Sequence, residues 1–199
     1  AMERQFPDYR DFSLTNRKSV VGEVVPFLVQ QIKPNQPRFA VKGRLPNGKF
    51  GWVHCTELAE NFEMNTSLKK GDCVPCLITA SGEDDMRHVT IRPTRIAGRE
   101  TDSRPYTLLD VKAKLGQKVP GMVNAAGNKG VFLFLSDSIV ARVALSEATD
   151  GWVEDDEINK KFAKCKKVDN IFLRALPLKE GQNVEASLKA SGDDDTTLK

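Results

Sequence analysis

One pattern is written twice in this chain, about 110 residues apart, and a repeat of that size points to two copies of one small domain. Ala80-Ser81-Gly82-Glu83-Asp84-Asp85 is echoed by Ala190-Ser191-Gly192-Asp193-Asp194-Asp195. A glycine-led apolar stretch precedes each: Gly71-Asp72-Cys73-Val74-Pro75-Cys76-Leu77-Ile78 and Gly181-Gln182-Asn183-Val184-Glu185-Ala186-Ser187-Leu188. Each copy also opens on a Gly-x-Val step, Gly22-Glu23-Val24 and Gly121-Met122-Val123.

Inside each copy the apolar residues run with period two, the spacing of half-buried strands. In the first unit this predicts strands at Val20–Val25, Phe39–Val41, Phe50–His54, Val74–Ile78 and Val89–Ile91. Turns rich in Pro, Asn and Gly separate them, and Asn47-Gly48 is a strong tight-turn signal. In the second unit the same reading predicts strands at Val119–Val123, Val131–Leu135, Ile139–Leu145, Asn183–Leu188 and Thr196–Lys199. A helix is expected from about Asp155 to Lys167, inside an insertion spanning Asp150–Leu178. Five short strands per unit match a small Greek-key barrel, so the predicted fold is all-β: two tandem five-stranded OB-type barrels, the second with a helical insertion. The expected boundaries are a preceding strand or linker over 1–17, a first barrel over 18–97, a polar linker over 98–106 and a second barrel over 107–199. The end resembles a barrel cut within its last strand, and Asp11–Arg17 resembles the closing strand of an earlier repeat. Both features suggest a piece of a longer array.

Composition narrows the function. The 199 residues carry a formal net charge of only +3, so any nucleic-acid surface has to be local. No apolar run approaches membrane-spanning length and no signal peptide is visible, so no membrane partner is expected. Cys73-Val74-Pro75-Cys76 has metal or redox spacing, but two further ligands are missing and the second copy has no cysteine there; reduced cysteines in a strand are the expectation. The acidic turns lack the glycine and glutamate spacing of a calcium loop. With only His54 and His88 in the chain and no nucleophile beside a base, neither catalysis nor a cofactor is expected.

Gly51-Trp52-Val53-His54-Cys55-Thr56-Glu57-Leu58 resembles the Gly-Leu-Val-His-x-Ser-Glu-Leu signature of the S1 RNA-binding domain family. The Gly-x-Val opening lies upstream of it and the Gly-Asp-x-Val start at Gly71, Asp72 and Val74 downstream. In the second unit, Gly130-Val131-Phe132-Leu133-Phe134-Leu135 is similar to the family's second strand, and Ala141–Ala148 is the counterpart of the histidine segment, with Ala144 in place of the histidine. The order of repeats and linker resembles a late pair in the large eukaryotic multi-S1 factors of ribosomal RNA processing. That resemblance implies a monomeric fragment binding RNA, pre-ribosomal RNA in particular, with other pre-ribosomal proteins as further partners, in the nucleus and nucleolus. The alternative is a protein-interaction scaffold or spacer within a pre-ribosomal complex.

Single-strand grooves of this kind stack bases on exposed rings and neutralise phosphates with Lys and Arg. Alternation along the second strand of the second unit turns Val131, Leu133 and Leu135 inward and puts Phe132 and Phe134 outside. The resemblance makes Phe132 the stacking ring, and the expected patch is Lys129, Phe132, Phe134 and Arg142. Packing under a loop or against the neighbouring unit is the alternative for Phe132 and the favoured reading for Phe134. In the first unit Phe39 is either the stacking ring or buried beside Val41. Phe50, Trp52 and His54 share one face by parity, flanked by Lys42, Arg44 and Lys49. Trp52 also suits a structural role, and His54 a loop-anchoring one. The helix carries acids first and lysines last, the order its dipole favours without any ligand; phosphate contact by the lysines is the alternative.

Overall fold

The computed structural model describes residues 20–64, 67–84, 86–100, 102–149 and 153–189. The strand expected at Thr196–Lys199, the acidic run Asp193–Asp195 and the strand-like start at Asp11–Arg17 lie outside them. The chain divides into two units, Ala1–Asp102 and Ser103–Lys199.

Each unit is a closed five-stranded barrel of OB type. The first is built from β1 (Val24–Ile32), β2 (Val41–Arg44), β3 (Phe50–Val53), β4 (Cys73–Ser81) and β5 (Met86–Thr90), in the order β1-β2-β3-β5-β4. β4 closes back on β1, and β3 with β5 is the parallel pair. The second repeats this with β6 (Lys118–Gly127), β7 (Gly130–Phe134), β8 (Val140–Val143), β9 (Lys167–Ala175) and β10 (Val184–Ser187), where β8 with β10 is the parallel pair. Closure gives each of these ten strands a partner on both sides.

Period two is the cause of both interiors. Along β1, Val25, Phe27 and Val29 are buried while the residues between them are part-exposed. Val41, Val53, Ile78 and Val89 from the other strands are buried with them. Gly43 on β2 is required by space, because a Cβ there would lie inside the Phe27 ring and 2.7 Å from the Leu28 carbonyl oxygen. The second core gathers Val123, Val131, Leu133, Ala141, Val143, Ile171, Leu173, Val184 and Ala186. Ile158 and Phe162 from the helix Asp155–Lys161 join it.

The structure corrects the strand assignment of the second unit. Val184–Ser187 is its fifth strand, since β10 lies parallel to β8 as β5 lies parallel to β3. The sequence echo aligns this segment with β4, so it matches non-equivalent strands. The fourth strand is Lys167–Ala175, which the sequence reading left inside the insertion. Asp169 and Asn170 are poor strand formers, and they mask the alternation of Ile171 and Leu173. The helix therefore lies in the link from third to fourth strand, where the first barrel has the short 3-10 turns Cys55–Glu57 and Glu60–Phe62. It ends at Lys161 rather than Lys167. Phe162 and Cys165 turn into the core, Cys165 adopts a left-handed φ of 64°, and its N–H donates to the Val123 carbonyl at 2.8 Å.

The true repeat is marked by a glutamate after the third strand. Buried Glu57 accepts from the Thr90 hydroxyl at the end of β5, at 2.6 Å. Glu147 accepts from the Ser187 hydroxyl at the end of β10, at 2.7 Å. The carbonyl of each glutamate also accepts the N–H of the residue after that hydroxyl, Ile91 or Leu188. These glutamates stand about 90 residues apart, and theirs is the spacing of the structural duplication.

The polar stretch expected as a linker is tied down. In the first unit Arg92, with no exposed surface, binds Glu100 at 2.8 Å and Asp102 at 2.9 Å. In the second unit Arg104 and Pro105 are buried, and Ser136 donates to the Pro105 carbonyl at 2.6 Å.

Candidate nucleic-acid interface

On the first barrel the outer face of β2 and β3 collects rings and cations. β3 buries Gly51 and Val53, which turns Phe50 and Trp52 outward, and Phe50 is 39% exposed. Antiparallel pairing sets Lys42 opposite Trp52 and Arg44 opposite Phe50. The Lys42 ammonium lies 4.7 Å from the Phe50 ring centre and 5.5 Å from that of Trp52. Lys33, at the end of β1, lies 5.3 Å from the Trp52 ring. Such cation–ring contacts hold rings and charges on one surface, where a nucleotide presents base and phosphate together. Lys49 is half-buried at the β2–β3 turn, and Arg44 is exposed.

Phe39 is not in a strand. It ends the 3-10 helix Pro37–Phe39, which a proline starts and which puts its ring edge-on to Trp52, centres 5.1 Å apart. It is half-buried, at the rim of the aromatic face rather than inside beside Val41. His54 caps the 3-10 turn that follows β3: its Nδ1 accepts the Thr56 N–H and lies 2.8 Å from the Thr56 hydroxyl. That is an anchoring role, holding the turn that carries Glu57.

Three members of this face escaped the sequence reading. Parallel pairing places Met86 beside Phe50 and His88 beside Trp52, and the Trp52 Nε1–H donates to the Met86 sulfur at 2.6 Å. Met86 and His88 are distant in sequence from β3, and only the parallel β3–β5 pairing brings them alongside. Lys33 was equally hidden, because β1 runs on to Ile32 instead of ending near Val25.

The second barrel assembles only part of its expected patch. Phe132 is half-buried between Ala125 and Arg142, and Lys129 is exposed on the two-residue turn joining β6 to β7. Arg142 Nε donates to the Lys129 carbonyl at 3.1 Å. Its guanidinium also lies 3.7 Å from the Glu185 carboxylate on β10, which offsets its charge. Phe134 does not join the expected patch: it has no exposed surface, which agrees with the packing reading. Strand parity puts it outside the barrel, but that outer surface is not solvent. Its cross-strand partner Met122 is equally buried, and the buried Arg104–Pro105 segment passes the same end of β7 at Ser136. Phe134 is therefore unavailable for stacking.

The two cysteines of the Cys-x-x-Cys segment differ in exposure, Cys73 being half-buried. Cys76 is fully buried, and burial, reinforced by Cys73, pushes its thiol far above the usual range. All four cysteines are free thiols. Among the described residues no three His, Cys, Asp or Glu side chains gather as metal ligands.

No family model and no curated protein matches the chain. Solved structures do. The solution structure of GSP13 from Bacillus subtilis matches at 26% identity over 45% of this chain and 68% of that one, with a TM-score of 0.34. The a/eIF2alpha–aDim2p–rRNA complex from Pyrococcus horikoshii OT3 matches at 20% identity over 49% of this chain and 52% of that one, TM-score 0.34. The intact alpha subunit of aIF2 from Pyrococcus abyssi matches at 19% identity over 50% and 36%, TM-score 0.34. The chain thus spans about half or less of the two archaeal chains. What its own strand order shows is a tandem pair of OB-type barrels.

Proposed function

We propose that this chain is a non-catalytic RNA-binding pair whose grip lies on the first barrel, where Phe50, Trp52 and Phe39 stack bases of single-stranded or looped RNA and Lys33, Lys42 and Arg44 hold phosphates. The observation that carries this reading is the Lys42 ammonium lying over both the Phe50 and the Trp52 rings. The resemblance to a late repeat pair of the multi-S1 ribosomal RNA processing protein 5 extends it: the RNA is pre-ribosomal, the setting ribosome biogenesis, and the location nuclear and nucleolar.

Polarisation of a fluorescein-labelled oligouridylate tests the grip. Trp52→Ala is expected to weaken binding by about 1–3 kcal/mol, roughly 5- to 150-fold, the worth of one stacked base. Lys42→Gln is expected to flatten the dependence of log affinity on log salt by about 0.7, one phosphate on a single strand. Unchanged affinity and slope in both variants would overturn the assignment.

A second reading applies to the other barrel. Its Arg142 is offset by Glu185 and its Phe134 is buried, so Phe132 and Lys129 are a thin basis for gripping RNA. A docking role toward other pre-ribosomal proteins suits that face better.

A further inference from the structure

The helix Asp155–Lys161 and the turn after it carry Lys160, Lys161, Lys164, Lys166 and Lys167, with no acidic residue among positions 158–168. A helix dipole accounts for cations in the last helical turn, and its influence fades within that turn. Since the helix stops at Lys161, the dipole explains Lys160 and Lys161 but reaches neither Lys164 nor Lys167. Lys167 is 3.5 Å from Asp169 and Lys166 donates to the Lys161 carbonyl at 3.2 Å. That bond brings the Lys166 ammonium to the helix end beside Lys161. Lys160, Lys161, Lys164 and Lys166 are all exposed, and among the described residues none has a carboxylate within ion-pair distance.

The turn is also held in place. Cys165 and Phe162 are buried in the second barrel and the Cys165 N–H is bonded to Val123, so the lysines project from a fixed segment. Phe162 is the one ring in residues 153–170, and it is buried. Among the described residues of this segment there are therefore cations and no exposed ring on which a base can stack. The matching ligand presents phosphates with its bases turned away, as an RNA duplex does. Lysine suits this task as a point charge that reads neither sequence nor bidentate geometry.

We infer that the lysine-rich turn at 160–166 is a second, stacking-independent RNA site that binds the sugar-phosphate backbone of double-stranded RNA. It is chemically distinct from the aromatic face of the first barrel and does not depend on that face binding RNA. The test uses the full chain and two fluorescein-labelled probes, a blunt RNA duplex of about 20 base pairs and an oligouridylate. The variant Lys160→Gln, Lys161→Gln, Lys164→Gln, Lys166→Gln is expected to lose at least tenfold in duplex affinity and to flatten its salt dependence by about 2–4 in log–log slope. Its oligouridylate affinity should change less than threefold. Trp52→Ala should show the reverse pattern, so failure of one site is separable from failure of the other. A matched control, Lys69→Gln, Lys70→Gln, Lys112→Gln, Lys179→Gln, removes the same charge from exposed positions elsewhere. Equal duplex loss in that control would overturn the proposal, as would wild-type duplex affinity in the 160–166 variant. So would a wild-type chain that binds vesicles of phosphatidylserine and phosphatidylcholine but no duplex.

Discussion

Arg92→Ala is expected to cost the first barrel about 3–5 kcal/mol, the range for removing one partner from a buried ionic network. Arg92 has no exposed surface and faces four carboxylates: Glu57 at 3.6 Å, Glu60 at 3.1 Å, Glu100 at 2.8 Å and Asp102 at 2.9 Å. Alanine would leave those charges together in a poorly solvated site, where Arg95 still lies 2.9 Å from Glu57. Arg92→Lys should restore only part of the loss, because one ammonium cannot replace a planar fork serving several oxygens. Urea unfolding followed by circular dichroism at pH 7 measures it. A loss below about 1 kcal/mol would mean that the site relaxes and admits water.

The same network sets an acid limit. Burial raises the Glu60 carboxyl pKa, but the Thr94 N–H and hydroxyl and the Arg92 guanidinium outweigh it and hold the group below its ordinary 4.5. A carboxyl lowered on folding contributes stability above its unfolded value, and loses it as pH falls through its folded value. Glu60→Gln should therefore flatten the stability profile below pH 4.5. Parallel thermal melts of the two proteins from pH 6 to pH 3 would reveal it, and superimposable profiles would remove Glu60 from the account.

Phe134→Ala and Phe132→Ala should differ sharply although the residues are two apart on one strand. Phe134 is fully buried against Met122 and Val140 across the ladders, so its loss combines transfer and cavity terms of about 3–5 kcal/mol. Phe132 is part-exposed between Ala125 and Arg142, and its truncation should cost about 1 kcal/mol or less. Chemical denaturation of both variants decides it. Equal losses would mean that the outer face of β7 is uniformly packed or uniformly open.

The contrast marks how far the sequence was legible. Alternation along β3 and β7 told inside from outside, and the five-strand count of the first barrel followed. Parity could place Phe134 outside its barrel, but it carries no information on whether the outside is covered. Phe39 was ambiguous because a 3-10 turn started by Pro37 has neither helical nor strand period. The fourth strand of the second barrel was missed because Asp169 and Asn170 interrupt its apolar run, while the echo of Ala80–Asp85 drew β10 onto β4. Short polar motifs recur at turns of unequal position, whereas a glutamate after the third strand meeting a hydroxyl at the end of the fifth is fixed by geometry in both barrels.

By itself, then, the sequence determined that this is a duplicated all-β chain with ring-bearing strands, since burial of alternate residues is a local property that period two records. The tertiary structure alone decided which rings and charges meet. Met86 and His88 reach the Trp52 face through a parallel pairing remote in sequence. Glu185 reaches Arg142 through the equivalent pairing in the second barrel. Neighbours across β3–β5 and β8–β10 are set by barrel closure, and closure depends on the whole chain at once.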